Sequence, residues 1–148
     1  MQRRSLLLLG LWLALILSEG VSASASQTVW SGLVIANNVA QPDPIPAELR
    51  GMEGALKKWF GYNQYKVIGQ SRKSLVTGSE DWMAQSKYFS LLVDSKSGNE
   101  AGYLLNLKLF QEKSLLLETE AKVSKDGPLM IKGPQVGDGQ LLLLVIVQ

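Results

Sequence analysis

The stretch that most constrains this chain comes last: Gln140-Leu141-Leu142-Leu143-Leu144-Val145-Ile146-Val147. Its seven consecutive apolar residues are too few to cross a bilayer as a helix, which takes roughly 20. The run is β-branched at its end and is entered through Gly137-Asp138-Gly139. That combination reads as a strand buried on both faces. Such a strand needs partners on either side and a layer above and below it, and the remainder of the chain offers candidates for each.

A chain of 148 residues suits one domain better than two. Cysteine is absent, which removes disulfides, thiolate catalysis and Cys-ligated metal. Histidine is absent as well, and with it the usual general base near neutral pH and the commonest zinc ligand. No cofactor-binding motif is present, and no metal site is expected.

The N-terminus has the pattern of an export leader. Met1-Gln2-Arg3-Arg4 forms a basic n-region, and the Leu-rich Ser5 to Leu17 follows with the length of an h-region. Ala23 and Ala25 stand in the A-x-A relation that signal peptidase reads. Cleavage is expected after Ala25, leaving a mature domain over 26–148 with no transmembrane segment of its own. Arg3-Arg4 hints at twin-arginine export, but the apolar core and incomplete flanks favour general secretion. No cysteine follows the h-region to carry a lipid. Loss of Arg3, Arg4 and Glu19 takes the net charge from +2 to +1. A nearly neutral domain has no electrostatic case for nucleic acid or an anionic membrane. An exported chain without cysteine and without an Asn-x-Ser/Thr sequon fits a bacterial periplasm or cell surface.

Along the mature chain, Thr28 to Ala36 alternates Val29, Ser31, Leu33 and Ile35 against Trp30, Gly32, Val34 and Ala36. Both faces are largely apolar, so a buried first strand is expected. The Pro-rich segment Asn37 to Pro46 reads as an extended loop. A helix is then expected over about 46–60, with Leu49, Met52, Leu56, Trp59 and Phe60 on one side and Gly61 as its stop. On this pattern Trp59 belongs to the core, and Gly51 or Gly54 marks a close approach to a sheet. The remainder reads as strands. Tyr65 to Gln70 is one, which Lys73 to Val76 either continues or pairs with. Trp82 to Ala84 and Lys87 to Asp94 follow, and Ser95 to Asn99 reads as a turn. Tyr103 to Phe110 alternates Tyr103, Leu105, Leu107 and Leu109 against Leu104, Asn106, Lys108 and Phe110. Leu115 to Val123 sets Leu115, Leu117, Thr119, Ala121 and Val123 against Leu116, Glu118, Glu120 and Lys122. Leu129 to Ile131 is a short strand before the terminal one.

The hairpin spacing argues an antiparallel meander, and the strand–helix–strand beginning suggests one crossover. The expected class is α+β, mainly β: an antiparallel sheet or β-sandwich with one amphipathic helix packed on it.

Three stretches carry a resemblance: the acidic, Pro-containing loop before Leu49, then Trp59-Phe60-Gly61-Tyr62-Asn63-Gln64-Tyr65-Lys66-Val67-Ile68-Gly69, then Ile131-Lys132-Gly133-Pro134-Gln135-Val136-Gly137-Asp138-Gly139-Gln140-Leu141. Together they resemble small exported β-rich domains of Gram-negative bacteria. The resemblance spans most of the mature chain and implies the fold and the compartment. It implies no activity and assigns no site residues.

No catalytic motif stands out. Gly133 to Gly139 precedes a strand rather than opening a helix, so it reads as a pair of turns and not a phosphate cradle. Glu118 and Glu120 share one strand face, the only pairing of acids that suggests a hydrolase; Ser–Lys chemistry is the other catalytic alternative. Tyr62 and Trp82 lie in loop context and are the candidate binding residues. The expected function is a non-catalytic interaction or accessory module of the bacterial cell envelope, with another envelope protein as partner. A small-ligand carrier enclosed by the sheets is a further alternative.

Overall fold

The terminal strand sits where its composition demands. The computed structural model describes residues 28–148; the leader expected over 1–25 lies outside the described residues. In chain order the elements are β1 (Thr28–Asn37), a 3₁₀ turn (Ala47–Met52), α1 (Glu53–Phe60), β2 (Gln64–Ser74), β3 (Glu80–Gln85), β4 (Phe89–Asn99), β5 (Gly102–Gln111), β6 (Ser114–Ser124), β7 (Leu129–Val136) and β8 (Gly139–Val147). They form two four-stranded antiparallel sheets, sheet A in the order β2-β1-β8-β7 and sheet B in the order β3-β4-β5-β6. The fold is a β-sandwich with one short helical segment on sheet A, mainly β within α+β.

Sheet A is covered on both faces. From β8, Leu141, Leu143, Val145 and Val147 point between the sheets, where they meet Leu91, Val93, Leu105, Leu107 and Leu109 of sheet B. Leu142 and Leu144 point the other way, against Leu49, Met52 and Leu56 of the helical segment. β1 divides in the same way, with Val29 and Leu33 between the sheets and Trp30, Val34 and Ala36 under the helix. A strand with two buried faces has no polar side to show, which is why both sequences read as nearly continuous apolar runs. Two polar residues on these strands are buried with partners. Gln140 donates from Nε2 to the carbonyls of Gly133, Pro134 and Leu141. The Ser31 hydroxyl accepts the Ala84 N–H at 3.1 Å and lies 3.0 Å from Ser71 Oγ, joining β1 to β3 and β2.

The Pro-rich loop is pinned by Asn63, just before β2, and by Gln64, its first residue. Asn63 accepts the Val39 N–H at 2.9 Å and donates to the Val39 carbonyl at 2.8 Å. Its own N–H goes to Asn38 Oδ1 at 2.9 Å. Gln64 accepts the Asp43 N–H at 3.1 Å. Backbone groups that neither helix nor sheet serves are thus met by side chains.

The expected helix over 46–60 splits in two. Ala47–Met52 forms a 3₁₀ turn, and only Glu53–Phe60 is α-helical. Leu49, Met52 and Leu56 are buried as expected, but Trp59, in the last turn, is 71% exposed rather than in the core. Gly51 and Gly54 do not approach a sheet, for a Cβ added at either meets nothing within 4 Å. Gly61 does end the helix, with φ +73° and its N–H on the Lys57 carbonyl at 3.1 Å.

Four other expectations are corrected. The strand–helix–strand unit is no crossover, because β1 and β2 are antiparallel neighbours. Ser95 to Asn99 is not a turn. The strand runs on to Asn99 through a bulge, and Asn99 pairs with Gly102. Leu115 does not share a face with Leu117: β6 is bulged where Leu109 pairs with Leu117 but Phe110 with Leu115, which resets the alternation. Gly133-Pro134 lies inside β7 at a register shift rather than in a turn, an edge-strand position where proline's missing N–H leaves no ladder bond unmade. β2 also proves to be one continuous strand through Ser74.

Because β8 is shared by both cores, its loss should be total. Each buried Leu, Ile or Val side chain contributes about 1.5–3 kcal/mol, and several together exceed the roughly 5–15 kcal/mol of a typical domain. A chain ending at Gly139, or carrying Leu143→Asp, should show no cooperative thermal melt by circular dichroism. A melt close to that of the intact chain would show that β8 is dispensable. Ser31→Ala leaves the Ala84 N–H buried without its acceptor and should cost about 1–3 kcal/mol in chemical denaturation.

Candidate functional site

Among the described residues, sheet B differs from sheet A in having one face that no other element covers. Leu105, Leu107 and Leu109 of β5 point inward, so Leu104, Asn106, Lys108 and Phe110 point outward. The register places Trp82, Leu92, Lys108 and Glu118 in one row across β3, β4, β5 and β6, with Ser90, Phe110 and Leu115 in the next. The Trp82 and Phe110 rings meet edge to face, centroids 5.6 Å apart at 61°, a geometry favoured by their quadrupoles. The β6 bulge leaves Leu115 and Leu116 exposed at 49% and 40%. Trp82, Leu92, Phe110, Leu115 and Leu116 therefore share this side of the molecule, next to the Lys108 and Glu118 charges.

Trp82 lies within β3 rather than in a loop, paired with Leu92 on this apolar face and 41% exposed. Tyr62 lies elsewhere. It is half-buried and packs on the helix-side core, so two sheets separate it from Trp82. The structure does not bring the two candidates together. Tyr62's neighbour Tyr65 is buried and donates its hydroxyl to the Leu56 carbonyl at 3.0 Å, tying β2 to α1. Burial pushes the Tyr65 phenol above its ordinary value, against smaller opposing effects of the Tyr62 backbone and Lys57.

Sequence reasoning passed over Leu115 and Leu116, yet the signal was there. Three consecutive leucines, 115–117, cannot all face inward in a strand with one solvated side. It also passed over a groove of about 430 Å³ beside α1, lined by Trp59, Phe60, Pro128, Leu129 and Met130. A second cleft, about 340 Å³, lies at the β4–β5 hairpin and includes Gly98, Tyr103, Lys122 and Ser124. The Tyr103 ring lies so close over Gly98 that a Cβ there would sit 2.6 Å from it. Burial raises the Tyr103 phenol as well.

Among the described residues, the acids Glu118 and Glu120 do not converge on one site. Glu118 stands opposite Lys108 and accepts a hydrogen bond from Asn106 Nδ2 at 3.1 Å, while Glu120 stands opposite Asn106. Both carboxylates are exposed on an open strand face, without a pocket to hold a substrate between them. The Ser95 hydroxyl is buried and has no hydrogen-bond partner, so no base touches it. Among the described residues no group of three or more carboxylates is placed to hold a metal ion, and no helix is long and apolar enough to cross a membrane.

Comparison with known proteins adds no relative: no family model, curated protein or solved structure matches this chain.

Tyr65 supplies a measurable titration. Its raised pKa means the unfolded chain loses the phenolic proton first as pH rises past the ordinary 10.0. The stability from keeping the phenol neutral is thus complete below that pH and is lost as pH climbs through the folded-state value. Tyr65→Phe should cost about 0.5–1.5 kcal/mol at neutral pH and flatten the alkaline fall in stability. Denaturation midpoints of both proteins across pH 8 to about 12 check this, Tyr103 supplying the fall that remains.

Proposed function

We propose that this protein is an exported, non-catalytic interaction module of the bacterial cell envelope, with another envelope protein as its partner. The observation that carries the reading is the apolar outer face of sheet B. Trp82, Phe110, Leu115 and Leu116 put large apolar side chains in contact with water where an antiparallel sheet ordinarily shows polar ones. Exposed apolar surface rimmed by charge marks protein contact sites, and a Trp at such a site is the residue type that most often dominates binding. The export reading rests on the leader pattern of residues 1–25, and the Gram-negative source on the resemblance of the loop, helix-end and β7–β8 segments.

The alternatives have less behind them. A hydrolase would need convergent groups, and Glu118 and Glu120 lie open beside Lys108, Asn106 and Lys122. A carrier enclosed by the sheets would need an apolar cavity, but leucine, valine and phenylalanine side chains occupy the inter-sheet layer.

Site-specific photo-crosslinking tests the reading in the native envelope. A benzophenone amino acid replacing Leu116 should give a discrete adduct with one partner protein, and the same probe at Arg50 on the helical segment should not. Outer-face substitution Trp82→Ser should reduce the Leu116 adduct several-fold while the protein still fractionates with the periplasm. Absence of any Leu116 adduct at native abundance, or recovery of the protein in the cytoplasm, would retire the proposal.

A further inference from the structure

We propose that the free edge of β7 at Leu129–Lys132 takes up an extended peptide as a fifth strand of sheet A. An apolar side chain of that peptide sits in the groove under Trp59, and an acidic side chain two residues away faces Lys132. This rests on the reading of the protein as an interaction module but uses a different surface from the outer face of sheet B.

Sheet A ends at β7, whose only strand partner among the described residues is β8. Its outer N–H and C=O groups therefore form a row that another strand can pair with. The other edges are guarded. β6 carries Glu118, Glu120 and Lys122. β2 carries Lys66, Arg72 and Lys73, and its second half leans on β3, where Lys73 Nζ bonds both Asp81 and the Trp82 carbonyl. β3 is short, with Glu80 and Asp81 at its start. β7 is guarded only in its second half, where the register shift and Pro134 interrupt the ladder. Leu129, Met130 and Ile131 carry neither charge nor proline. A stretch of four residues offers about 13 Å of edge, enough for a short motif.

The side chains specify what such a motif contains. Leu129 and Ile131 pack toward the inter-sheet core, and Met130 packs toward the helix-side core. By alternation Lys132 shares the helix-side face with Met130. A peptide residue beside Met130 would point into the groove of about 430 Å³ that Trp59, Phe60 and Pro128 complete. The next residue on that face, two along, would meet Lys132. Lys132 forms no ion pair among the described residues, and Lys58 has its ammonium 5.7 Å from the centre of the Trp59 ring rather than on a carboxylate. Two lysines thus adjoin the apolar slot, Lys132 two residues on from Met130 and Lys58 over the Trp59 ring. Backbone pairing supplies adhesion, the slot selects a large apolar side chain, and the lysines select an acid.

The test uses protein produced from the full chain and fluorescein-labelled Ser-Thr-Ser-Phe-Thr-Glu-Ser-Thr-Ser, titrated by fluorescence anisotropy. Saturable binding is expected. Replacing Phe by Ser in the peptide, or Trp59→Ala in the protein, should each weaken it by about tenfold or more. Lys132→Glu should invert the preference between the Glu peptide and its Lys counterpart. N-methylation of one alternate set of peptide amides should abolish binding and of the other set should not, since only one set faces the edge. Trp59→Ala alters an exposed side chain, and an unchanged thermal melt will show that its effect is local. Four results would overturn the proposal: no saturable binding up to millimolar peptide; equal tolerance of both N-methylated sets; a concentration-dependent dimer that Trp59→Ala disperses and peptide does not, which assigns the edge to a second copy; or peptide binding that emerges only when residues 1–27 are removed, which assigns it to the chain's own N-terminal segment. Failure here while Leu116 adducts persist retires the β7 site alone. Loss of those adducts with peptide binding intact retires the sheet B surface alone.

Discussion

Double-sided burial of β1 and β8 is the constraint on which the rest of the structure depends. These two strands lie at the middle of sheet A, and their alternate side chains enter two separate cores. Neither core can be left open. Leu142 and Leu144 would face water without the helical segment, and Leu141, Leu143 and Val145 would face it without sheet B. Each uncovered leucine forgoes about 1.5–3 kcal/mol, so the layers above and below are obligatory partners of one pair of strands. The helical segment needs no helix-forming strength of its own. It is short and contains Gly51 and Gly54, each about 1 kcal/mol worse than alanine in a helix interior. Tertiary burial of Leu49, Met52 and Leu56 holds it in place.

Sheet B has only one face to bury, and this asymmetry gives the molecule its exposed chemistry. Its strands alternate, with leucines inward and a mixture outward that includes Lys108, Glu118 and Lys122. The bulge in β6 is the local event that alters this pattern. By inserting one residue opposite β5, it turns Leu115 to the same side as Phe110, beside the Trp82 ring. Bulges recur where a sheet re-aims a side chain. Here the outcome is an apolar cluster on the broad outer face of sheet B, which no other layer covers among the described residues.

What was legible in the sequence follows the same physics. The terminal strand, the two faces of β1 and the alternation of β5 could be read directly, because burial writes itself into side-chain type at every position. Gly61 as the helix stop was equally plain, since the left-handed conformation at that position selects glycine. The misreadings have separate origins. Trp59 looked like core because it falls on the apolar side of the helical period, yet its side chain is exposed. Leu115 was grouped with Leu117 because the period of two was carried through a bulge. Ser95 to Asn99 looked like a turn because its residues are those that favour turns, yet pairing with Tyr103 to Leu105 makes them strand. Composition reports environment well and reports register poorly, and a site built from surface residues depends on register. Trp82 was singled out for exposure and is exposed. Tyr62 was grouped with it by loop context alone, and the fold puts the pair on opposite sides of two sheets.

The chemistry that remains available narrows how this protein can act. The sequence contains no histidine or cysteine, and Glu118 and Glu120 lie open on a strand face. The recognition proposed above works by apolar burial and by backbone pairing. Both forces are short-ranged. A net charge of +2 over 148 residues produces little long-range field, so the proposed association would gain little from steering at a distance. A weakly steered binder relies on partners already concentrated nearby. On the proposed reading, confinement with the partner inside one envelope compartment would supply that concentration.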